Sequence, residues 1–252
     1  MSAFQIVRFL YIALMLSLLL VDFFIDIHIL YYLVPTLVFV VLLAWGSADI
    51  GLNFFLKAQS ALQTDQKVIA LSFDDGPSAE YTPAILDLLD AYSAKATFFC
   101  IGHRIEKNEE LLKTIVEKGH RVGNHSYSHS NFFSFFGTKK IMNEIRKTNS
   151  LIHRVSGQEC EIFRPPYGVT NPPIAKAVKK CGMKVIGWNL RSLDTSTQDY
   201  HKVIDRVLKR IKAGSVILLH DDRQNTPKIL EAILLYARQN NYQYALLHEP
   251  QN

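Results

Sequence analysis

Charge is what the first 56 residues of this 252-residue chain lack. Of 28 lysines and arginines and 23 aspartates and glutamates, that stretch holds only Arg8, Asp22, Asp26 and Asp49, which excludes an ordinary solvated surface there. Cysteine is scarce too. Cys100, Cys160 and Cys181 are odd in number and lack metal-type pair spacing, so a disulfide framework is excluded and a reducing compartment is weakly favoured. Internal repeats and low-complexity tracts are missing, and the length suits one large domain with a short appendage.

What those first residues do have is apolar length. Phe9 to Val21 is apolar but for Tyr11 and Ser17, Phe23-Phe24-Ile25 resumes after Asp22, and Ile29 to Gly46 runs 18 residues without charge. Trp45 and two tyrosines sit near the ends of the second run, where a bilayer interface favours them. The pattern predicts two transmembrane helices, about 6–25 and 28–46, in a membrane anchor of residues 1–56. A signal peptide is the rival, but the positive flank is thin and no small-residue cleavage site follows the first run. If both helices cross, Arg8 and Lys57 lie on one side and Asp22, Asp26 and His28 on the other, so the positive-inside rule puts the rest of the chain in the cytoplasm. If only one crosses, the rest faces outward, and the side of the membrane stays open.

Residues 57–66 are polar and short, and are expected to be a linker. Beyond the anchor, 27 basic residues stand against 20 acidic ones, a surplus that favours an anionic neighbour such as lipid headgroups, a polyanionic glycan or nucleic acid. Runs such as Lys176, Lys179 and Lys180 read as solvated helix faces. From residue 67 onward, strand-like runs (67–73, 97–101, 121–123, 161–163, 184–188, 215–219, 243–247) alternate with helical ones near 85–89, 111–118, 141–155, 174–180, 203–211 and 229–239. Seven strands with intervening helices predict an α/β fold whose parallel sheet rolls into an irregular barrel or stays open.

Four motifs stand at strand ends, where such folds keep their chemistry. The apolar run Val68-Ile69-Ala70-Leu71 leads to Ser72-Phe73-Asp74-Asp75-Gly76-Pro77, two adjacent carboxylates that a cation must partly neutralise. His125-Ser126-Tyr127-Ser128-His129 sets two imidazoles four apart, on one face of a turn, able to reach one cation. Added to a carboxylate, they leave coordination positions open, as in a catalytic metal site. Arg164-Pro165-Pro166-Tyr167-Gly168 presents an arginine from a stiff loop, able to hold a carboxylate. Ser215-Val216-Ile217-Leu218-Leu219 ends in His220, at the same mouth. Phe132-Phe133-Ser134-Phe135-Phe136 exceeds the need of one helix face and suits packing, sugar stacking or the membrane. Asp221 and Asp222 are expected to cap the next helix.

These four blocks, in this order across residues 67–248, closely resemble the polysaccharide deacetylases, the NodB-like carbohydrate esterases. The resemblance implies an irregular seven-stranded (β/α) barrel in a catalytic domain of residues 67–252, and metal-dependent removal of N-acetyl groups from an amino-sugar glycan, peptidoglycan-like or chitooligosaccharide-like. Carried over, it makes Asp74 the base, Asp75, His125 and His129 the metal ligands, Arg164 the residue that orients Asp74, and His220 the acid supported by Asp194. The Tyr167 amide would join the oxyanion site. Leu218 would line the acetyl pocket, with Pro166 and Trp188 also at the substrate. Zinc suits such a ligand set best, with nickel and cobalt also able to bind. The implied partners are an acetylated glycan and the membrane of the cell envelope, not nucleic acid. The chain departs from the family pattern at Arg191 and Thr195, which replace an aspartate and a tryptophan. Other readings are a sugar O-acetyl esterase, a non-haem iron oxygenase using the same triad, and a non-catalytic glycan-binding protein.

Overall fold

The computed structural model describes residues 2–248, so Met1 of the expected anchor and residues 249–252 of the expected domain lie outside it. Two long helices come first, α1 (Ala3–Asp22) and α2 (Leu30–Ala48). Ser2 and Gln5 cap α1 reciprocally, the Ser2 hydroxyl accepting the Gln5 N–H while the Gln5 side chain accepts from Ser2. The two helices form a hairpin in which Tyr11 stacks on Phe39 at 4.3 Å and its hydroxyl meets Thr36 Oγ1 at 3.0 Å. That contact joins one hydroxyl of each helix across the hairpin. Their outward faces are apolar and exposed, and Gly46 is the only buried residue in either helix. At 20 and 19 residues each is long enough for a bilayer core of about 30 Å.

The rest of the chain alternates strand and helix. In order these are β1 (Ala58–Gln59), β2 (Val68–Asp74), α3 (Thr82–Ala91), β3 (Ala96–Cys100), α4 (Gly102–Ile105), α5 (Glu109–Glu117), β4 (Arg121–Asn124), α6 (Thr138–Ser156) and β5 (Ile162–Phe163). Then follow α7 (Pro172–Lys180), β6 (Lys184–Ile186), β7 (Leu190–Arg191), α8 (Tyr200–Leu208), β8 (Val216–His220), α9 (Thr226–Gln239) and β9 (Gln243–Tyr244). Every ladder is parallel, in the order β1-β6-β5-β4-β3-β2-β8-β7, with β9 pairing the start of β2. All seven expected strands are present, and the sheet curls as an open, irregular barrel. Two short strands were not anticipated. One of them, β1, lies inside the expected linker and pairs with β6.

Strands β2, β3 and β8 read as nearly unbroken apolar runs because both faces are covered. Phe73 stacks on Phe98 at 5.0 Å, while Ile85, Leu86 and Leu89 of α3 and Ile229, Leu230, Ile233 and Leu234 of α9 seal one face. Each such side chain contributes roughly 1.5–3 kcal/mol on burial. Register then fixes the mouth: Asp74 lies beside His220 across β2 and β8, and Asn124 beside Phe163 across β4 and β5. His125 and Arg164 therefore emerge from adjacent strand ends.

Candidate active site

Asp74, the last residue of β2, is buried. Its Oδ1 accepts from Arg164 Nη1 at 2.6 Å, and the same nitrogen donates to Ser72 Oγ at 3.0 Å. Arg164 is itself fully buried, donates to the Ile186 and Gly187 carbonyls, and stacks 4.1 Å from the Phe99 ring. Burial pulls its guanidinium below the ordinary arginine value, and Asp74 opposes that by charge and hydrogen bond. Arginine remains charged under such pressure, so the pair is an ion pair with nearly every donor used. The stiff Pro165-Pro166 loop delivers it as the sequence suggests.

Asp75 follows in the left-handed region at φ 75°. Its Oδ1 is buried without a hydrogen-bond partner among the described residues, 3.5 Å from His125 Nε2 and 3.3 Å from His129 Nε2. His125 Nδ1 stands 2.7 Å from the Arg164 carbonyl. A carbonyl only accepts, so Nδ1 carries the proton and Nε2 offers its lone pair to the Asp75 side. Burial, and then the neighbouring His125, push His129 down to about 4. Burial alone would raise Asp75, but the two imidazoles hold it below the usual carboxylate range. At neutral pH Asp75 is thus an ionised carboxylate and His129 a neutral imidazole, which is what metal ligands must be. The three ligand atoms lie within 4.8 Å of one another. A tetrahedral ion about 2.1 Å from each ligand would set them roughly 3.4 Å apart, so the residues fit a divalent cation.

His220 ends β8. Its Nδ1 is 2.8 Å from Asp194 Oδ1, and its backbone N–H donates to Asp194 Oδ2 at 2.8 Å. Ser192 Oγ donates to the same carboxylate at 2.9 Å. Burial works against a charged imidazole, yet the hydrogen bond and charge of Asp194 outweigh it and hold His220 at about 9. Asp74, Asp75, His125, His129, His220, Tyr167, Leu218 and Trp188 all line one cavity of about 150 Å³. Pro166 is buried and does not reach this lining. Gly168 packs so closely on the Trp188 ring that a Cβ would stand 2.3 Å from it. Arg191 and Thr195 face the cavity too, so a cation and a small polar group stand on that wall.

Backbone strain gathers here. Asp75, Ser126, His129 and Tyr167 all have φ between 45° and 75°, a region that costs a non-glycine residue of order 1–3 kcal/mol. Hydrogen bonds from Ser126 N–H to Asn124 Oδ1 at 2.8 Å and from His129 N–H to Ser126 Oγ at 3.1 Å help hold the imidazoles.

Asp221 and Asp222 do not cap α9, whose N-cap position is Asn225. Asp221 turns inward instead, is fully buried, accepts from Thr82 Oγ1 at 2.6 Å, and lies against Gly76, where a Cβ would be 2.0 Å from its Oδ2. Burial pushes its carboxyl up to about 7. Asp222 pairs with Arg104 at 3.1 Å. Sequence reasoning missed Asp221 and Ser72 as supports of the site. The one available signal was Ser72, a polar residue inside an otherwise apolar strand.

Comparison with known proteins places these features. A family model described as polysaccharide deacetylase matches residues 61–186. A peptidoglycan-N-acetylglucosamine deacetylase of Bacillus cereus is 34% identical over 190 residues, covering 73% of this chain and 88% of that one. The peptidoglycan-N-acetylmuramic acid deacetylase PdaC of Bacillus subtilis is 33% identical over 188 residues, 75% of this chain but only 39% of that longer protein. Its solved structure superposes with a TM-score of 0.67 at 32% identity, covering 73% of this chain and 89% of the solved one. A Bacillus anthracis structure described as a pseudoenzyme of carbohydrate esterase family 4 has a TM-score of 0.69 at 26% identity, covering 75% and 66%.

Proposed function

Because this chain belongs to the polysaccharide deacetylase family, we propose that it is a metal-dependent N-deacetylase of an acetylated amino-sugar glycan of the peptidoglycan kind, anchored by α1 and α2. One observation carries the reading: Asp74, the ligand set Asp75–His125–His129, and His220, held from behind by Asp194, converge on a single 150 Å³ cavity. Relatives in the fold include both deacetylases and a pseudoenzyme, so filled catalytic positions, rather than the fold, are what argue for turnover.

A divalent cation bound by Asp75, His125 and His129, best matched by zinc, would polarise the acetamide carbonyl and acidify water. Asp74 is the base. Arg164 occupies its Oδ1, leaving Oδ2 to accept the proton of the attacking water. The Tyr167 turn contributes a backbone N–H to the developing oxyanion. His220 keeps its Nδ1 proton on Asp194 and presents Nε2 to the departing nitrogen. An amine leaves only when protonated, so an imidazolium that persists to about pH 9 suits an amide better than an ester. Leu218 and Trp188 form the apolar wall for the acetyl methyl.

The anchor is part of the proposal: residues 1–56 hold the enzyme in the membrane of the envelope as a two-span hairpin, and residues 67–252 carry catalysis. Arg8 and Lys57 favour the cytoplasmic side by the positive-inside rule, where precursors rather than mature wall are accessible. A reporter fused at the C-terminus, active on one side only, assigns the compartment. Acetate release from N-acetylated peptidoglycan fragments or chitooligosaccharides, abolished by a chelator and restored by zinc, tests the chemistry. Glycan binding without acetate release would instead identify a pseudoenzyme.

A further inference from the structure

We propose that the loop of residues 130–136 is a third membrane contact, with Phe132 and Phe135 resting in the interfacial layer of the bilayer and holding the mouth of the active site at the lipid surface. The inference rests on the reading of α1 and α2 as the anchor. Phe133 is buried, packing against Phe136 and Phe163 at ring distances of 5.8 and 6.5 Å. That leaves the single helical turn Phe133–Phe135 no choice but to turn its neighbours outward, and Phe132 and Phe135 are 69% and 83% exposed. Among the described residues beyond the hairpin and Leu52, the other large apolar or aromatic side chains so exposed are Tyr167 and Leu235. Three of these four thus lie on two touching loops. A patch of that kind on an otherwise polar surface marks a contact.

Its place in the molecule says what it contacts. Tyr167 Oη donates to Asn131 Oδ1 and Asn171 Nδ2 to the Ser134 carbonyl, both at 2.6 Å, so the phenylalanine loop is fastened to the turn 167–171. That turn is fastened in its own right to the end of α2. The Thr170 N–H donates to the Ser47 carbonyl at 3.1 Å, Ser47 Oγ donates to the Thr170 carbonyl at 2.7 Å, and Thr170 Oγ1 donates to the Gly46 carbonyl at 3.3 Å. Trp45, 59% exposed just before these residues, marks the level at which α2 leaves the hydrocarbon. The exposed rings are therefore two short links from the membrane surface and continuous with the apolar face of the hairpin. Lys139 and Lys140 follow directly, with Lys140 Nζ 3.5 Å from the Phe136 ring centre, as suits anionic headgroups. Neither Phe132 nor Phe135 lines the catalytic cavity, which argues against a sugar-stacking role. With its mouth fixed there, the enzyme acts on acetylated sugars carried at the bilayer surface.

The test uses the full chain in vesicles of phosphatidylcholine and phosphatidylglycerol, with an environment-sensitive fluorophore attached through Phe135→Cys in a Cys181→Ser background. Cys100 and Cys160 are buried. Leu235→Cys serves as the solvent control and Leu37→Cys as the anchor control. The expected result is blue-shifted emission at 135, quenched at least threefold more by shallow doxyl lipid than emission at 235. Water-like emission at 135 with strong quenching at 37 overturns the proposal and spares the anchor. Absence of quenching at both 135 and 37 overturns the anchor reading and the proposal with it. Protection of 135 by soluble chitooligosaccharide, or by raising protein concentration without lipid, overturns it in favour of a sugar platform or a second copy.

Discussion

Asp194 grips His220 twice, through the imidazole Nδ1 and through the backbone N–H, both at 2.8 Å. The first contact holds the ring charged and the second holds its strand end still. Because the imidazole stands at about 9 in the fold against about 6.5 in an unfolded chain, it stabilises the protein fully below pH about 6.5, and that contribution fades as pH rises through about 9. Asp194→Asn should move the descending limb of the kcat–pH profile from about 9 toward neutrality, and should lower the melting temperature at pH 6 more than at pH 10. An unmoved limb would remove His220 as the acid.

Asp74→Asn is expected to reduce kcat by about 10²–10⁴, the usual weight of general base catalysis. Metal content measured by atomic absorption should stay near one per chain, since Asp74 lies outside the proposed ligand set. His125→Ala and Asp75→Ala should lose both. Full metal content with normal turnover in Asp74→Asn sinks the assignment.

Arg164→Met strands the buried Asp74 carboxylate, and removal of one partner of such a pair costs about 3–5 kcal/mol. The double variant Asp74→Asn with Arg164→Met should recover part of that loss, as a coupling energy in thermal or urea unfolding. Additive losses would mean that the two do not act as a pair.

Gly168→Ala puts a methyl against Trp188 at a residue with φ +68°. Overpacking and left-handed strain together cost about 2 kcal/mol. The activity loss should exceed the stability loss, because the adjacent Tyr167 amide moves with it.

Arg191 has no acidic partner among the described residues and faces the cavity. Turnover should favour substrates carrying a carboxylate or phosphate over neutral oligosaccharides. Arg191→Asp should shift that ratio by about 2- to 5-fold toward the neutral ones, the size of a solvent-exposed charge contact. Competition assays with the two substrates read it directly, and an unchanged ratio refutes it.

Most of the site was legible because its motifs pair a strand end with the residues that follow it. Asp74-Asp75, His125 to His129, Arg164 and His220 each sit where an apolar run stops, and a parallel sheet brings such stops together. Strands β1 and β7 were not legible, since each is two residues long and lies outside any apolar run. Nor was Asp221, whose partners Thr82 and Gly76 are more than a hundred residues distant. The bond between Ser47 and Thr170 was equally hidden, because it joins a helix end to a turn with no pattern linking them.

The edge strand β1 has a practical consequence for anyone wishing to separate the sheet from the apolar hairpin of α1 and α2. Ile50, Ala58 and Leu62 are buried within the core clusters of the domain, upstream of the first family motif. A cut at residue 67 would bare the rim of β6 and strip those side chains from the interior, inviting strand-to-strand aggregation. A fragment beginning near Asp49, with Leu52 and Phe54 changed to polar residues, keeps that hem sewn and is the better route to a water-soluble catalyst.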